Sequence, residues 1–449
     1  MEEKHNKTLL TDLYQLTMNA AYFDSQKDEL ATFELFIRKL PEDWGFYIVA
    51  GVEEAVDYAT NIRFTDEDIA YLNYQNLFKE EFLRFLKNFK FEGDIYAVKE
   101  GTPIAPNTPI LRVTAKRTQA QFLESALLNT INFQTMIATK ANRIVNSAKG
   151  ANIVEFGLRR AQEEDASIKG ARATYIGGAV ATSNVKAGKM YGIPISGTQA
   201  HSFVMSFSTE LEAFRAYAKT FPNNATLLID TYDTIQGAKN AAIVGKELEK
   251  QNNQLKAVRL DSGDLLGLSI DVRKILDEAG LNHVKIFASN DLNEYKINYL
   301  ISNGAKIDAF GVGTEMITAK PVAAIPGVYK LVEDINGAKI KLSHEKKTYP
   351  GRKQAYRQCL NGAYLYDILA LEKEKINGVP LMELVVKSGE SVSKERSLYE
   401  IRLYCLDCVS KMPGRVKQIK VKEPYELEIS PGLADLVEEL TLHYAKPSY

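Results

Sequence analysis

Cysteine is scarce in this chain. Three residues in 449 cannot form a disulfide framework, and they fit a reducing compartment. Cys405 and Cys408 have the spacing of a metal knuckle, but only Cys359 remains as a further thiol. A fourth ligand would have to be a distant group such as His443, so reduced, partly buried thiols are expected. An excess of charge of one sign is also missing. Fifty-six Lys+Arg stand against 57 Asp+Glu, a formal charge of -1, so no global basic field points to nucleic acid and any anion site must be built locally. No stretch approaches the roughly 18 consecutive apolar residues of a membrane span, and Met1–Lys7 has no apolar signal core. No segment is of low complexity. These absences lead us to expect a soluble cytoplasmic protein with small-molecule partners, engaging neither nucleic acid nor membrane.

What is present is enough apolar material, 45% of residues, for two or three cores. Near the start, Thr11–Met18 reads as a helix entry with Thr11 or Asp12 as cap, and residues 31–38 alternate as a strand. Residues 93–114 read as short strands joined by turns, and a long amphipathic helix is expected over 118–147.

From about residue 150 one unit recurs: a short apolar strand, a polar loop residue or two, then a helical stretch. The strand ends are 153–157, 175–178, 193–196, 227–230, 257–261, 285–289 and 309–313, with 328–332 as a possible eighth. Alternation of this kind predicts a parallel sheet. A doubly wound open sheet would alternate too, but it concentrates its site at one switch point. Here nearly every strand ends in a chemically useful residue, which favours an irregular (β/α) barrel. The expected architecture is therefore α/β: an N-terminal α/β domain (1–147), a barrel core (148–340) and a C-terminal region (341–449) completing or packing on the N-terminal domain. The last begins with the basic loop 344–353, whose simplest role is a solvated surface.

If the strand ends share one rim, Arg159, Arg160, Thr198, His201, Asp230, Asp233, Arg259, Asp261, Asp264, Ser289, Asn290, Asp291, Gly311 and Gly313 meet there. Arginine forks bind carboxylate or phosphate, whereas clustered aspartates repel unless a cation such as Mg2+ lies among them. An anionic, phosphorylated substrate with Mg2+ meets both demands. His201 is one of only five histidines and sits in the hydroxylic loop Gly197–Phe203. Its imidazole could move a proton or carry a phosphate, or simply bond a carbonyl. Asp230 could fix its tautomer or could cap a helix. The Gly311–Gly313 turn could receive a phosphate or merely be tight. No P-loop, Rossmann fingerprint or Gly-x-Ser-x-Gly elbow appears, so ordinary nucleotide folds and serine hydrolysis are disfavoured.

Five segments, in order, resemble nicotinate phosphoribosyltransferases: Thr11–Gln15, Glu155–Gln162, Gly197–Phe203, Val258–Asp264 and Lys347–Gly351. The resemblance spans about residues 8–355 and is slight over the last ~90. It implies a homodimer with sites near the subunit interface. There nicotinate and 5-phosphoribosyl 1-pyrophosphate (PRPP) would give nicotinate mononucleotide and pyrophosphate, coupled to ATP hydrolysis, as the entry step of NAD salvage. It implies that His201 is transiently phosphorylated and that Asp230 holds its imidazole. It further implies that nicotinate stacks between Phe156 and a partner subunit's Tyr14, its carboxylate held by Arg259 and Thr198. Thr348 and nearby basic residues would contact PRPP, the Gly311–Gly313 turn its 5-phosphate, and Arg159, Asp261, Ser289 and Asn290 would also bind PRPP or its phosphates. Mg2+ would accompany the diphosphate. Three alternatives remain at this point: a nicotinamide-using relative, a quinolinate phosphoribosyltransferase, and a catalytically silent phosphosugar-binding barrel.

Overall fold

In a computed structural model, residues 6–343 and 348–445 are described. Two compact units share the chain. One comprises residues 1–136, 324–397 and 404–449; the other comprises 137–323 and 398–403. The first boundary falls inside the helix Glu124–Ser147 rather than after it, so chain texture, which changes near 150, follows the start of the parallel strands and not the unit border.

The first unit is built on a seven-stranded antiparallel sheet. In spatial order its strands are Gly337–Ala338, Gly327–Asp334, Leu30–Ile37, Leu111–Lys116, Asp94–Val98, Met382–Lys387 and Glu390–Ser391. Residues 328–332 thus pair antiparallel with Leu30–Ile37 and do not add an eighth strand to the other unit's sheet. A second sheet joins Val379–Pro380, Lys353–Leu360, Ala363–Leu371 and Leu427–Ile429, so residues after 341 belong largely to the unit that holds the N-terminus. The helix expected over 118–147 occurs as two, Arg117–Phe122 and Glu124–Ser147. Asp12 is the N-cap of Leu13–Asp24 but makes no capping bond; its Oδ2 accepts from Ser125 Oγ instead (2.6 Å). Cys405 and Cys408 are buried and unbridged, and no group of three or more His, Cys, Asp or Glu among the described residues could hold a metal. No described helix is long and apolar enough to cross a membrane.

The second unit carries six parallel strands, in the order Ala181–Thr182, Asn152–Glu155, Ala309–Val312, Lys285–Ala288, Ala257–Leu260 and Thr226–Leu228. Their sequences are short and rich in apolar residues, as parallel strands buried in a core require. Ile153, Leu227, Val258, Ile286, Phe310 and their neighbours form one core with the flanking helices. Two expected strands are corrected. Residues 175–178 close the helix Glu163–Ile176, whose acidic first turn and small-residue interior sustain helix up to Gly177 and Gly178, the latter at φ +115°. Residues 193–196 contribute only an isolated parallel bridge from Ile195 to Thr182.

Four strand-to-helix turns end in a side-chain cap: Asn184 accepts from Ala187 N, Asp233 from Gln236 N, Asp264 from Leu266 N and Asn293 from Lys296 N. Each cap satisfies an N–H of the first helical turn and so fixes where the helix begins beyond the strand's last residues. Behind the rim, Glu294 opens the helix Glu294–Ser302 and binds Lys140 Nζ at 2.5 Å and Arg143 Nε at 3.2 Å. Burial lowers the Lys140 pKa while Glu294 opposes that shift, so the ammonium depends on this carboxylate. Glu294→Ala should therefore reduce the unfolding free energy by about 3–5 kcal/mol in urea titrations. A loss below about 1 kcal/mol would mean the buried lysine has another means of compensation.

Candidate active site

Strand geometry places Arg259 and Asp261 on the same face, because successive side chains alternate. Val258 and Leu260 enter the core, and Arg259 and Asp261 turn toward the rim. Arg259 donates through Nε to Ser289 Oγ (2.8 Å), through Nη1 to Thr198 Oγ1 (2.9 Å) and through Nη2 to Asp261 Oδ1 (2.7 Å). Ser289, almost fully buried, also donates a short hydrogen bond to Asp261 Oδ1. A guanidinium has five N–H donors; three are committed here, and two remain for a ligand. Burial raises the Asp261 carboxyl, but the Ser289 hydroxyl, the Arg259 charge and hydrogen bond, and His201 outweigh it, leaving the pKa below the ordinary value.

Phe156 forms the wall beside this arginine. Its N–H donates to Val312 O (2.8 Å), its ring lies 5.5 Å from that of Phe287, and the Arg259 guanidinium is 5.7 Å from its centroid. A Cβ on Gly311 would come within 2.6 Å of the Phe156 ring and 2.9 Å of Phe287. Gly311 is thus a strand residue that makes room for an aromatic ring, while Gly313 is the N-cap of the short helix Thr314–Ile317. Asn290 and Asp291 follow the strand Lys285–Ala288 with φ of +90° and +42°, an unusual pair of left-handed residues that turns the chain along the rim. Phe156, Arg159, Arg259, Asp261, Asn290 and Gly313 are among the residues lining a cleft of about 150 Å³. That is less than the ~300–1,000 Å³ of pockets enclosing drug-sized ligands. It suits a ring or a phosphate, with the rest of a larger reactant across the open rim.

His201 begins the helix His201–Met205. Its Nδ1 is 3.1 Å from Thr231 Oγ1, and its Nε2 is 3.6 Å from Asp261 Oδ2. The direct pairing with Asp230 is corrected: Asp230 Oδ2 instead accepts from Asp261 N and Ser262 Oγ, both at 2.7 Å. Asp230 therefore acts on the imidazole's surroundings by fixing the turn that carries Asp261. Its Oδ1 is buried without a hydrogen-bond partner, as is Oε1 of Glu210. Burial raises the Glu210 pKa, and Asp233 and Asp230 add to the rise, a local excess of negative charge that a cation would relieve.

Arg159 lies exposed on the turn Leu158–Arg160 at the cleft mouth. Tyr14 and Thr348 belong to the other unit. Tyr14 is exposed on the helix Leu13–Asp24, and Thr348 is buried, accepting from Lys341 N at 3.2 Å. Residues 344–347, among them the basic Lys346 and Lys347 just before Thr348, lie outside the described residues. Sequence reasoning missed Thr231, the partner of His201 Nδ1, and Phe287, which backs Phe156. Both lie in or beside recognisable strand ends, but neither residue type stands out without the neighbour it touches.

Comparison with known proteins supplies a lineage. Three family models match: the nicotinate phosphoribosyltransferase (NAPRTase) N-terminal domain over residues 9–132, the NAPRTase family over 151–341, and the nicotinate phosphoribosyltransferase C-terminal domain over 375–437. The last match corrects the expectation that the final ~90 residues carry little of the resemblance. The chain is 41% identical to a nicotinate phosphoribosyltransferase of Bacillus subtilis, covering 94% of this chain and 93% of that one. It superposes on the crystal structure of human nicotinic acid phosphoribosyltransferase with a TM-score of 0.85 at 28% identity, covering 96% and 100% of the two chains. It also superposes on a nicotinate-nucleotide pyrophosphorylase from Pyrococcus furiosus, with a TM-score of 0.74 at 26% identity and coverage of 92% and 97%.

The depressed Asp261 pKa has a definite sign in stability. A carboxyl with a lowered folded-state pKa contributes stability above its unfolded value, and that contribution disappears as pH falls through the folded value. The stability gap between wild type and Asp261→Asn should therefore narrow between about pH 5 and about pH 3 in urea titrations. A gap of constant size would contradict the charge-based account of this carboxylate.

Proposed function

The chain belongs to the nicotinate phosphoribosyltransferase family, and on that footing we propose that it forms nicotinate mononucleotide and pyrophosphate from nicotinate and PRPP, with ATP hydrolysis coupled through His201. The observation that carries this reading is Arg259, with two N–H donors uncommitted beside the Phe156 ring. A flat pyridine fits the ring, and a carboxylate accepts both donors, whereas a carboxamide offers one acceptor and turns an N–H2 toward the guanidinium. This favours nicotinate over nicotinamide.

The chemistry asks little of a general base. As pyrophosphate departs, the ribose C1 becomes oxocarbenium-like, and the pyridine nitrogen attacks it with a free lone pair. Catalysis is then positioning and charge stabilisation. Phe156, Arg259 and Thr198 hold the base, while Arg159, Asn290 and the Gly313 turn take the phosphates. Mg2+, arriving with the diphosphate, would neutralise the leaving group. Asp230 and Asp261 suit such an ion, since Mg2+ is commonly held by one or two carboxylates together with substrate phosphates, and Asp230 Oδ1 has no other partner.

His201 is read as the phosphate carrier. With Nδ1–H donated to Thr231, the Nε2 lone pair attacks the γ-phosphorus of ATP; the N–P bond forms, the bridging P–O bond breaks, and ADP leaves. The added charge of about -2 beside Asp261 changes how the diphosphate is held. The same reading makes the active form a cytoplasmic homodimer in which the partner subunit's Tyr14 closes the other face of the nicotinate.

A substrate panel tests the base assignment. With PRPP, kcat/KM for nicotinate should exceed that for nicotinamide by about 100-fold or more, and quinolinate should release no carbon dioxide. A preference for nicotinamide, or decarboxylation of quinolinate, would overturn it, and PRPP-independent silence toward every base would point to a non-catalytic barrel. Separately, His201→Ala should lose ATPase activity and all labelling by γ-labelled ATP. Retained labelling would place the phosphate elsewhere.

A further inference from the structure

Glu155 has no role in the account above, although it is the last residue of the first parallel strand and immediately precedes Phe156. It is 1% exposed and touches none of the bases or phosphates proposed for the rim. Its two carboxyl oxygens serve different segments. Oε1 accepts a short hydrogen bond from Gly157 N, and Oε2 accepts from Thr182 Oγ1 at 2.5 Å. The first bond closes a turn around Phe156, so the ring leaves the strand at a fixed angle over Gly311. The second reaches a residue that governs another wall. Thr182 N donates to Pro194 O (3.0 Å), and Ser196 N donates to Thr182 O (2.9 Å), which seats the segment that runs on through Thr198 to His201. Thr182 Oγ1 also accepts from Asn184 N at 3.0 Å, leaving its own hydrogen for Glu155.

We propose that Glu155 is a positioning residue for the nicotinate site, one buried carboxyl that aligns the Phe156 wall with the segment carrying Thr198 and His201. Neither wall is held by the other directly; both are referred to the same two oxygens. Burial raises the carboxyl's pKa against the lowering effect of the Thr182 and Gly157 bonds, so the group is retained at an electrostatic cost that an apolar residue would avoid. Its companions on either side, Val312 and Thr182 in the strand register, are uncharged. The proposal rests on the base-site reading given above.

The test is steady-state kinetics of Glu155→Ala, Glu155→Gln and Thr182→Val, with wild type run in parallel and thermal melts of each variant. Glu155→Ala should raise the KM for nicotinate by about tenfold or more and leave the KM for PRPP within about twofold. Glu155→Gln should recover most of the loss, because its Oε1 still accepts from Gly157 while its amide donates to the Thr182 hydroxyl. Thr182→Val removes the second arm, together with the bond from Asn184 N, and leaves the Gly157 bond in place, so it should raise the nicotinate KM and slow labelling of His201 by γ-labelled ATP. Should the alanine variant not fold, Thr182→Val decides alone. Equal rises in both KM values, no recovery by glutamine in a folded protein, or unchanged nicotinate KM in Thr182→Val would each overturn the proposal. Failure of wild type itself to use nicotinate would strike the base-site reading, whereas normal wild type with unaffected variants would strike Glu155 alone.

Discussion

Arg259 is the group on which the proposed site depends. Its side chain is only 14% exposed, and a cation at such a position is tolerable only if its charge and N–H groups are met. The protein meets them locally, with a carboxylate two residues further along the chain and hydroxyls from two neighbouring loops. Because Ser289 bonds both Arg259 and Asp261, the two charges and the following strand end form a single rigid piece. The imidazole of His201 lies 3.6 Å from that piece. A phosphate placed on the imidazole would therefore repel the carboxylate that steadies the arginine, giving a physical route from nucleotide chemistry to base binding.

The parallel sheet explains why so many polar residues converge without disordering the core. Strands of two to four residues, mostly apolar, end abruptly, and capped helices begin a few residues later. Asp233, Asp264 and Asn293 spend their side chains on the first turns of the helices that follow, whereas Asp230 and Asp261 lie within two residues of the strand ends Leu228 and Leu260 and bond to other rim residues. Position within the turn, not residue type, divides structural acids from those facing the rim.

That division marks the limit of what could be read in the amino-acid order. The strands at 153, 227, 257, 285 and 309 were legible because a continuous short apolar run between helical stretches is the pattern of a strand buried on both faces. Residues 175–178 misled because a buried last turn of helix, ending in two glycines, has the same apolar-then-glycine texture as a strand end. Residues 328–332 misled because edge and central strands of different sheets look alike until their partners are known. In the site, Arg259 and His201 announced themselves by type, and Phe156 came only with the family resemblance of its segment. Thr231 and Phe287 did not, since a hydroxyl or a ring acquires its role only from the neighbour it touches. Asp230 was assigned to the wrong neighbour: sequence order brings it near the His201 loop, but its carboxylate turns to the adjacent strand's Asp261 and Ser262.

Gly311 gives the aromatic wall a further meaning. The space a methyl group would fill at that strand position is the space the Phe156 ring occupies. Any other amino acid there would act as a tethered competitor, present at fixed position in every molecule and beyond removal by raising substrate concentration. Ring and missing side chain are thus two halves of one surface, written far apart in the chain, and neither can drift without the other.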